Sequence, residues 1–408
     1  MYSQESTRKQ KSYDDLYVEF VSKIEDQKLN ECLEILPSLL KKAKDNDSKL
    51  IDVSTALFKQ ANSFAQENKI EEEIEVYNIL INKFKYVQNP KVLEYVKNAY
   101  INKDIRLGEL NRLEEKVEVQ DELVGRFEDN EDEGTMEDIA STLLDEAFTL
   151  EELDRNEEAI FIYDEIVRRF ESSENQIILS TVARSLFNKA LLFVHLEQYK
   201  EEVEVYDLII EKFSNSDNLV IQEQVAKSYV NKGVAVSEMY GPEYSLDIYS
   251  EIIRLFENST SQKILLQVAL ASCNIGEVLT SFDKNEASIE VYNSVIERFE
   301  DSEDEGILEV VAKALLNKAK RIEALELPEE ALEVYDEIIQ KFENYENNTL
   351  LYVAFAMKYK VLLLHSLNRK EEFLEACDDI IIRFAHNENK QIANIVVSII
   401  EMKRIYTQ

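Results

Sequence analysis

The chain has 408 residues, a mass of 47.5 kDa and 45% apolar side chains, enough to bury a sizeable core. Seven glycines and four prolines are too few for the tight turns of a β-sandwich, a barrel, a P-loop enzyme or a Rossmann fold. With 82 acidic against 46 basic residues the net charge is −36, which repels phosphate backbones and anionic lipid, so neither nucleic acid nor a membrane is expected as a partner.

The first ten residues, MYSQESTRKQ, hold no apolar h-region, and no stretch is expected to reach the length of a membrane span. Residues 12–43 read as two helices, including ECLEILPSLLKKA (31–43), a degenerate copy of the unit that follows. We assign residues 1–49 as an N-terminal helical cap. Cys32, Cys273 and Cys377 lie far apart with no pairing pattern, which suits a reducing, cytoplasmic setting.

From there a phrase recurs. It reads IEVYNILINKF ending at Phe84, VEVQDELVGRF at Phe127 and IFIYDEIVRRF at Phe170, and continues to Phe213, Phe256, Phe299, Phe342 and Phe384. The spacing is 43 residues at every step but the last, which is 42. A second ladder keeps the same register: Asn102, Asp145, Asn188, Asn231, Asn274, Asn317 and Lys360. Small residues stand two positions further on, at Ala147, Ala190, Gly233, Gly276 and Ala319.

Both motifs have helical periodicity. In the third unit Ile160, Tyr163, Ile166, Val167 and Phe170 fall close to one face of a helix. In the next, Ile178, Val182, Leu186, Ala190 and Phe193 do the same. Each unit is therefore a hairpin, with a first helix of roughly 20 residues and a second of roughly 15. Polar connectors such as ESSEN (171–175) and SNSDN (214–218) break the chain between units and supply caps. Pro242 and Pro328, two periods apart, are each expected to open a second helix. A hairpin with apolar residues on several faces must stack on its neighbours, so eight hairpins are expected across residues 50–386. An amphipathic helix at 390–406, within 387–408, would cap the far end. The small residues are expected where two helices cross, with Tyr163, Tyr206, Tyr249, Tyr292 and Tyr335 filling the space opposite.

This pattern resembles the tetratricopeptide repeat family. Leu315, Ala319, Ile322 and the Ala331 to Tyr335 run match that family's spacing, as do Leu143, Ala147, Leu150 and the Ala159 to Tyr163 run. It departs in its 43-residue period, its lack of tryptophan, a frequent lysine after the asparagine, and a missing closing proline. The resemblance implies an all-α fold, a right-handed α-solenoid of antiparallel hairpins whose first helices line a concave face. It also implies a non-catalytic scaffold or adaptor that holds a protein or peptide partner there.

Asn102, Asn188, Asn231, Asn274 and Asn317 match an asparagine ladder known in some family members, and their amides would pair with the backbone of an extended peptide. Alternatively they hydrogen-bond within the hairpins. Arg184, Lys227 and Lys313 lie one turn before ladder asparagines and would line the same face, favouring a carboxylate-bearing ligand. Alternatively the lysines pair with glutamates of adjacent helices. Residues 109–174 hold 24 acidic and 6 basic residues, half of the net charge. Their centre, 128–138, reads as a solvated connector or a lure for a basic partner. It fails as an EF-hand, because Ala140 stands where a bidentate glutamate is needed.

No catalytic set, phosphate loop, metal-ligand spacing or cofactor motif is present. His195, His365 and His386 are the only histidines, and His195 is expected to pack near a hairpin turn. A peptide-sensing regulator and an enzyme on an α-solenoid scaffold are the competing readings.

Overall fold

The computed structural model describes residues 11–345 and 348–407. The N-terminal decapeptide, part of the connector at 343–348 and the final residue of the expected C-terminal cap therefore lie outside the described residues. The chain divides into two compact units that meet between residues 182 and 183. The first contains α1 (Tyr13–Glu25), α2 (Leu29–Ala43), α3 (Asp47–Gln66), α4 (Ile70–Phe84), α5 (Pro90–Glu109), α6 (Leu113–Phe127), α7 (Glu133–Glu152) and α8 (Asn156–Phe170). The boundary falls inside α9 (Gln176–His195). The second contains α10 (Tyr199–Phe213), α11 (Leu219–Tyr240), α12 (Leu246–Phe256), α13 (Gln262–Ser281) and α14 (Asn285–Phe299). It continues with α15 (Glu305–Ala324), α16 (Pro328–Lys341), α17 (Thr349–Ser366), α18 (Lys370–Phe384) and α19 (Lys390–Thr407). The fold is all-helical, a tetratricopeptide-like solenoid of sequential hairpins. Odd-numbered helices are first helices and even-numbered ones second helices.

Local chemistry explains the boundaries. The connectors present capping side chains in extended backbone: Asn46, Asn89, Asp132, Asn218 and Asp304 each accept from amides of the following first turn. Each such cap contributes about 1 kcal/mol. The turns inside hairpins use another device. Asn68, Asn111, Asp154, Glu197, Asp283 and Glu326 adopt the left-handed conformation, with φ between 55° and 59°. At Asp154 the amide donates to the Glu151 carbonyl, and the next amide, of Arg155, reaches back to Leu150 at 2.8 Å. That doubled bond reverses the chain in three residues and lets the second helix start without a side-chain cap.

One turn differs. α11 runs through Tyr240 and has 22 residues. Gly241, at φ 120°, then leads into a 3₁₀ turn, Pro242–Ser245, before α12 begins. Pro328 opens α16 as the sequence predicts, but Pro242 opens this 3₁₀ turn instead of an α-helix. The longer α11 leaves too little chain for the three-residue reversal.

The predicted crossings are present. Tyr77, Tyr163, Tyr206, Tyr292 and Tyr335 are among the largest fully buried side chains. A Cβ added to Gly233 would lie 2.3 Å from the Tyr249 ring, and one added to Gly276 would lie 2.5 Å from Tyr292. Within the second unit neighbouring first helices also pack directly on one another: α11 on α13, α13 on α15, α15 on α17 and α17 on α19. Second helices sit between first helices and make no comparable contact among themselves. The first helices thus form the closer-packed layer of that unit.

One expectation needs correction. Gln176–His195 and Gln262–Ser281 are each 20 residues long and apolar enough to cross a membrane by length and composition. About half of each segment is buried inside the protein (56% and 44%), as for core helices of a stacked array. Two-sided packing of a first helix demands apolar residues around most of its circumference.

Two stability predictions arise here. Gly276→Ala should destabilise the chain by about 1–3 kcal/mol, since the ring of Tyr292 must move. Glu326→Gly should stabilise it by about 0.5–1 kcal/mol, as relief of the left-handed strain outweighs the entropy of glycine. Urea unfolding of the two variants beside the wild type measures both signs.

Candidate functional site

The asparagine ladder lies on the first helices, half-buried, and several of its amides point back at the preceding hairpin. Asn231 Nδ2 donates to the Tyr206 hydroxyl at 3.2 Å. Asn274 stands beside the hydroxyl of Tyr249, and Asn102 beside that of Tyr77, which donates to Glu73 at 2.8 Å. Asn317 instead reaches Glu277 on the neighbouring first helix at 3.3 Å. Asn188 is half-buried on α9. The logic is that a buried phenol needs a hydrogen-bond partner. In other joints a carboxylate accepts from the phenol: Tyr163 donates to Glu151 at 2.5 Å, and Tyr335 to Glu323.

The three predicted cations divide. Lys313 pairs with Glu277 at 2.8 Å, across to the adjacent first helix. Lys227 pairs with Glu223 one turn earlier on its own helix, at 2.6 Å. Arg184 is exposed and makes no ion pair among the described residues. The lysines that follow the asparagines face elsewhere. Lys232 bridges to Asp207 on α10 at 2.5 Å, clasping first helix to preceding second helix. Lys360, which itself stands at an asparagine position, and Lys403 make the same clasp to Asp336 and Asp378.

The first-helix layer of the second unit carries a cleft of about 290 Å³ between α11 and α13. Val234, Ser237 and Glu238 form one side, Asn274, Glu277 and Val278 the other, with Pro242 and Tyr249 also in its lining. Val234 is 41% exposed, and Leu191, at the matching position of α9, is 37% exposed. One ladder asparagine therefore borders a concave surface together with apolar and acidic groups. Sequence reasoning missed Val234 and Glu238. Their signal was position: three and seven residues after the asparagine, where the buried face of the helix has turned away.

The joint between α5, α6 and α7 departs from every other. Asp104 stands at the small-residue position, Gln120 at the tyrosine position and Asp145 at the asparagine position. A half-buried ion cluster replaces the ring. Lys116 binds the Asp145 carboxylate, the Thr149 hydroxyl at 3.0 Å and, more distantly, Asp104 at 3.9 Å. Gln120 Nε2 donates to Asp145 at 2.8 Å. Burial pushes the Asp104 carboxyl up to about 7 despite the nearby lysine. Glu146, 2% exposed, takes the position that holds lysine in Lys232's joint and stands near Asp121. Burial first, and Asp121 second, push it up to about 8. In the second unit burial likewise raises Glu202, beneath Tyr206, to about 7. The substituted VEVQDELVGRF phrase was a visible signal of this joint.

Among the described residues no group of His, Cys, Asp and Glu could hold a metal ion. His195 closes α9 and is exposed, so it does not pack as expected. His365 sits between Phe373 and Tyr406, each ring centroid 5.3 Å away.

Residues 55–85, within α3 and α4 and one residue beyond, match the tetratricopeptide repeat family. A comparison with curated proteins gave no match. Several solved structures are similar. A tetratricopeptide repeat protein from Parabacteroides merdae is 13% identical, with 74% of this chain and 98% of that one covered and a TM-score of 0.40. The apo form of RapI is also 13% identical, with 88% and 98% covered and a TM-score of 0.45. YrrB, described as a TPR protein with an unusual peptide-binding site, is 17% identical, with 59% and 99% covered and a TM-score of 0.36. No residue role is carried over from them. Folds of this family are generally protein-binding and typically non-catalytic.

The raised carboxylates make the fold sensitive to pH. A carboxyl raised above its unfolded value holds its proton better when folded. That stabilisation is full below about pH 4 and is lost as pH rises through the folded values of Glu146, Asp104 and Glu202. Thermal unfolding should therefore occur at lower temperature at about pH 8 than at about pH 5.5. Glu146→Gln should show a smaller drop than wild type, and equal drops would remove Glu146 from the account.

Proposed function

We propose that this chain, a tetratricopeptide repeat protein, is a non-catalytic adaptor that holds a segment of a partner protein on the first-helix layer of its second unit. The observation that carries this reading is the cleft between α11 and α13. It combines exposed Val234 and the edge of buried Val278 with the Asn274 amide and the carboxylates of Glu238 and Glu277. Apolar surface gives a partner side chain somewhere to be buried, and the polar groups fix its orientation. Asn188, Asn231 and Arg184 extend the same layer. Asn231 and Asn274 have a second task, since each stands against the hydroxyl of a buried tyrosine. Replacing them would disturb stability and binding together, so Val234 is the cleaner probe.

The setting we propose is the cytoplasm. Supporting it, Cys32, Cys273 and Cys377 are all free and buried, and burial raises their thiols to about 11, 12 and 11, so they are poor nucleophiles.

A photocrosslinking amino acid at position 234 should capture a partner in the native host. The same group at position 208, an exposed leucine on second helix α10, should not. Equal capture from both positions would show that the cleft has no special part in binding.

A further inference from the structure

The turns inside the hairpins form one edge of the second unit, because successive first helices stack side by side and each reverses into its second helix at the same end. In this unit that edge is apolar. Tyr199, Tyr240, Tyr244, Phe282 and Leu327 are 40%, 61%, 60%, 46% and 41% exposed, at least one in each of four consecutive turns. The corresponding turns of the first unit, at 26–28, 67–69, 110–112 and 153–155, show no exposed large apolar residue. Nothing in hairpin geometry requires rings there, since the same left-handed reversal is made with polar residues in the first unit.

The irregular turn is the centre of the row. The lengthened α11 and the bend at Gly241 carry Tyr240 and Tyr244 outward as an edge-to-face pair, centroids 6.2 Å apart. Glu243 lies between them in sequence, against Gly241. The surroundings are strongly acidic. Residues 195–201, 238–247, 281–286 and 324–330 contain ten carboxylates, all exposed, and two lysines. One of those lysines, Lys200, has Glu204 within 3.7 Å.

Rings edged by carboxylates are the chemistry that recognises guanidinium groups. A planar cation stacks on the aromatic face while its N–H groups bond the acids. The spacing fits an extended chain. First helices in direct contact lie about 8–10 Å apart, the length of roughly three extended residues. We propose that this turn edge is a second docking surface, for an extended arginine-rich segment of another protein. Its rings are not those of the α11–α13 cleft, with which it shares only Glu238, Pro242 and their surroundings, and it stands whether or not that cleft binds a partner.

The test uses the full chain and a fluorescein-labelled peptide of about fifteen residues with arginine at every third position among glycine and serine. Fluorescence anisotropy should detect binding that weakens with salt. Tyr240→Ser/Tyr244→Ser removes two exposed rings without changing charge and should weaken binding about tenfold. Phe161→Ser removes an exposed ring of α8 in the first unit and should leave it unchanged. Circular dichroism checks that both variants stay folded. Equal affinity for wild type and the tyrosine variant would overturn the proposal, because the acidic surface alone would then account for the binding. Failure of the wild type to bind the peptide would overturn it as well.

Discussion

A buried second-helix tyrosine, present in six of the eight repeats, organises this protein. The tyrosine of the second helix fills the space above a small residue of its own first helix, so it sets how closely the hairpin closes. At Gly233 and Gly276 the approach leaves no room for even one carbon. The hydroxyl of the same ring must be satisfied, and in several joints an asparagine of the next first helix stands beside it. A single side chain thereby couples packing within a hairpin to packing between hairpins. A solenoid needs both terms in every repeat, since each repeat touches only its neighbours.

Where the ring is lost, the physics of the joint changes. Asp104, Lys116, Gln120 and Asp145 replace a desolvated ring with a partly desolvated ion cluster. Such clusters satisfy themselves at a cost in solvation, and an apolar replacement of equal volume is often as stable or more so. Burial leaves Asp104 and Glu146 closer to neutral than carboxylates normally are. The most acidic stretch of the chain thus contains carboxyl groups able to hold protons near neutral pH.

Charge elsewhere is spent largely on stitching helices together. Lys232, Lys360 and Lys403 each reach back to an aspartate beside the preceding ring position. Lys313 crosses to the adjacent first helix. Surface pairs of this kind contribute little singly, but repeated in register they fix the rotation of one hairpin on the next. The excess acid faces solvent, and at the turn edge of the second unit it surrounds exposed rings.

Approximate helix lengths, hairpin register, the polar capping connectors and the glycine–tyrosine crossings were legible in the residues, while the start of α12 was not. Each depends on side-chain volume, periodicity or a hydrogen bond to the adjacent backbone, all of which act over a few residues. The sequence also marked Asn231 and Asn274 as special, but it left open whether they serve a ligand or the fold. Stacking supplied the answer that each contacts a phenol, because the rotation between hairpins decides what an amide meets. The same rotation paired Lys313 with Glu277 and opened the cleft beside Val234. It also gathered Tyr199, Tyr240, Phe282 and Leu327, some 40 residues apart in the chain, along one edge. Such neighbours are set by the sum of many small contacts across the joints, which no local stretch of sequence contains.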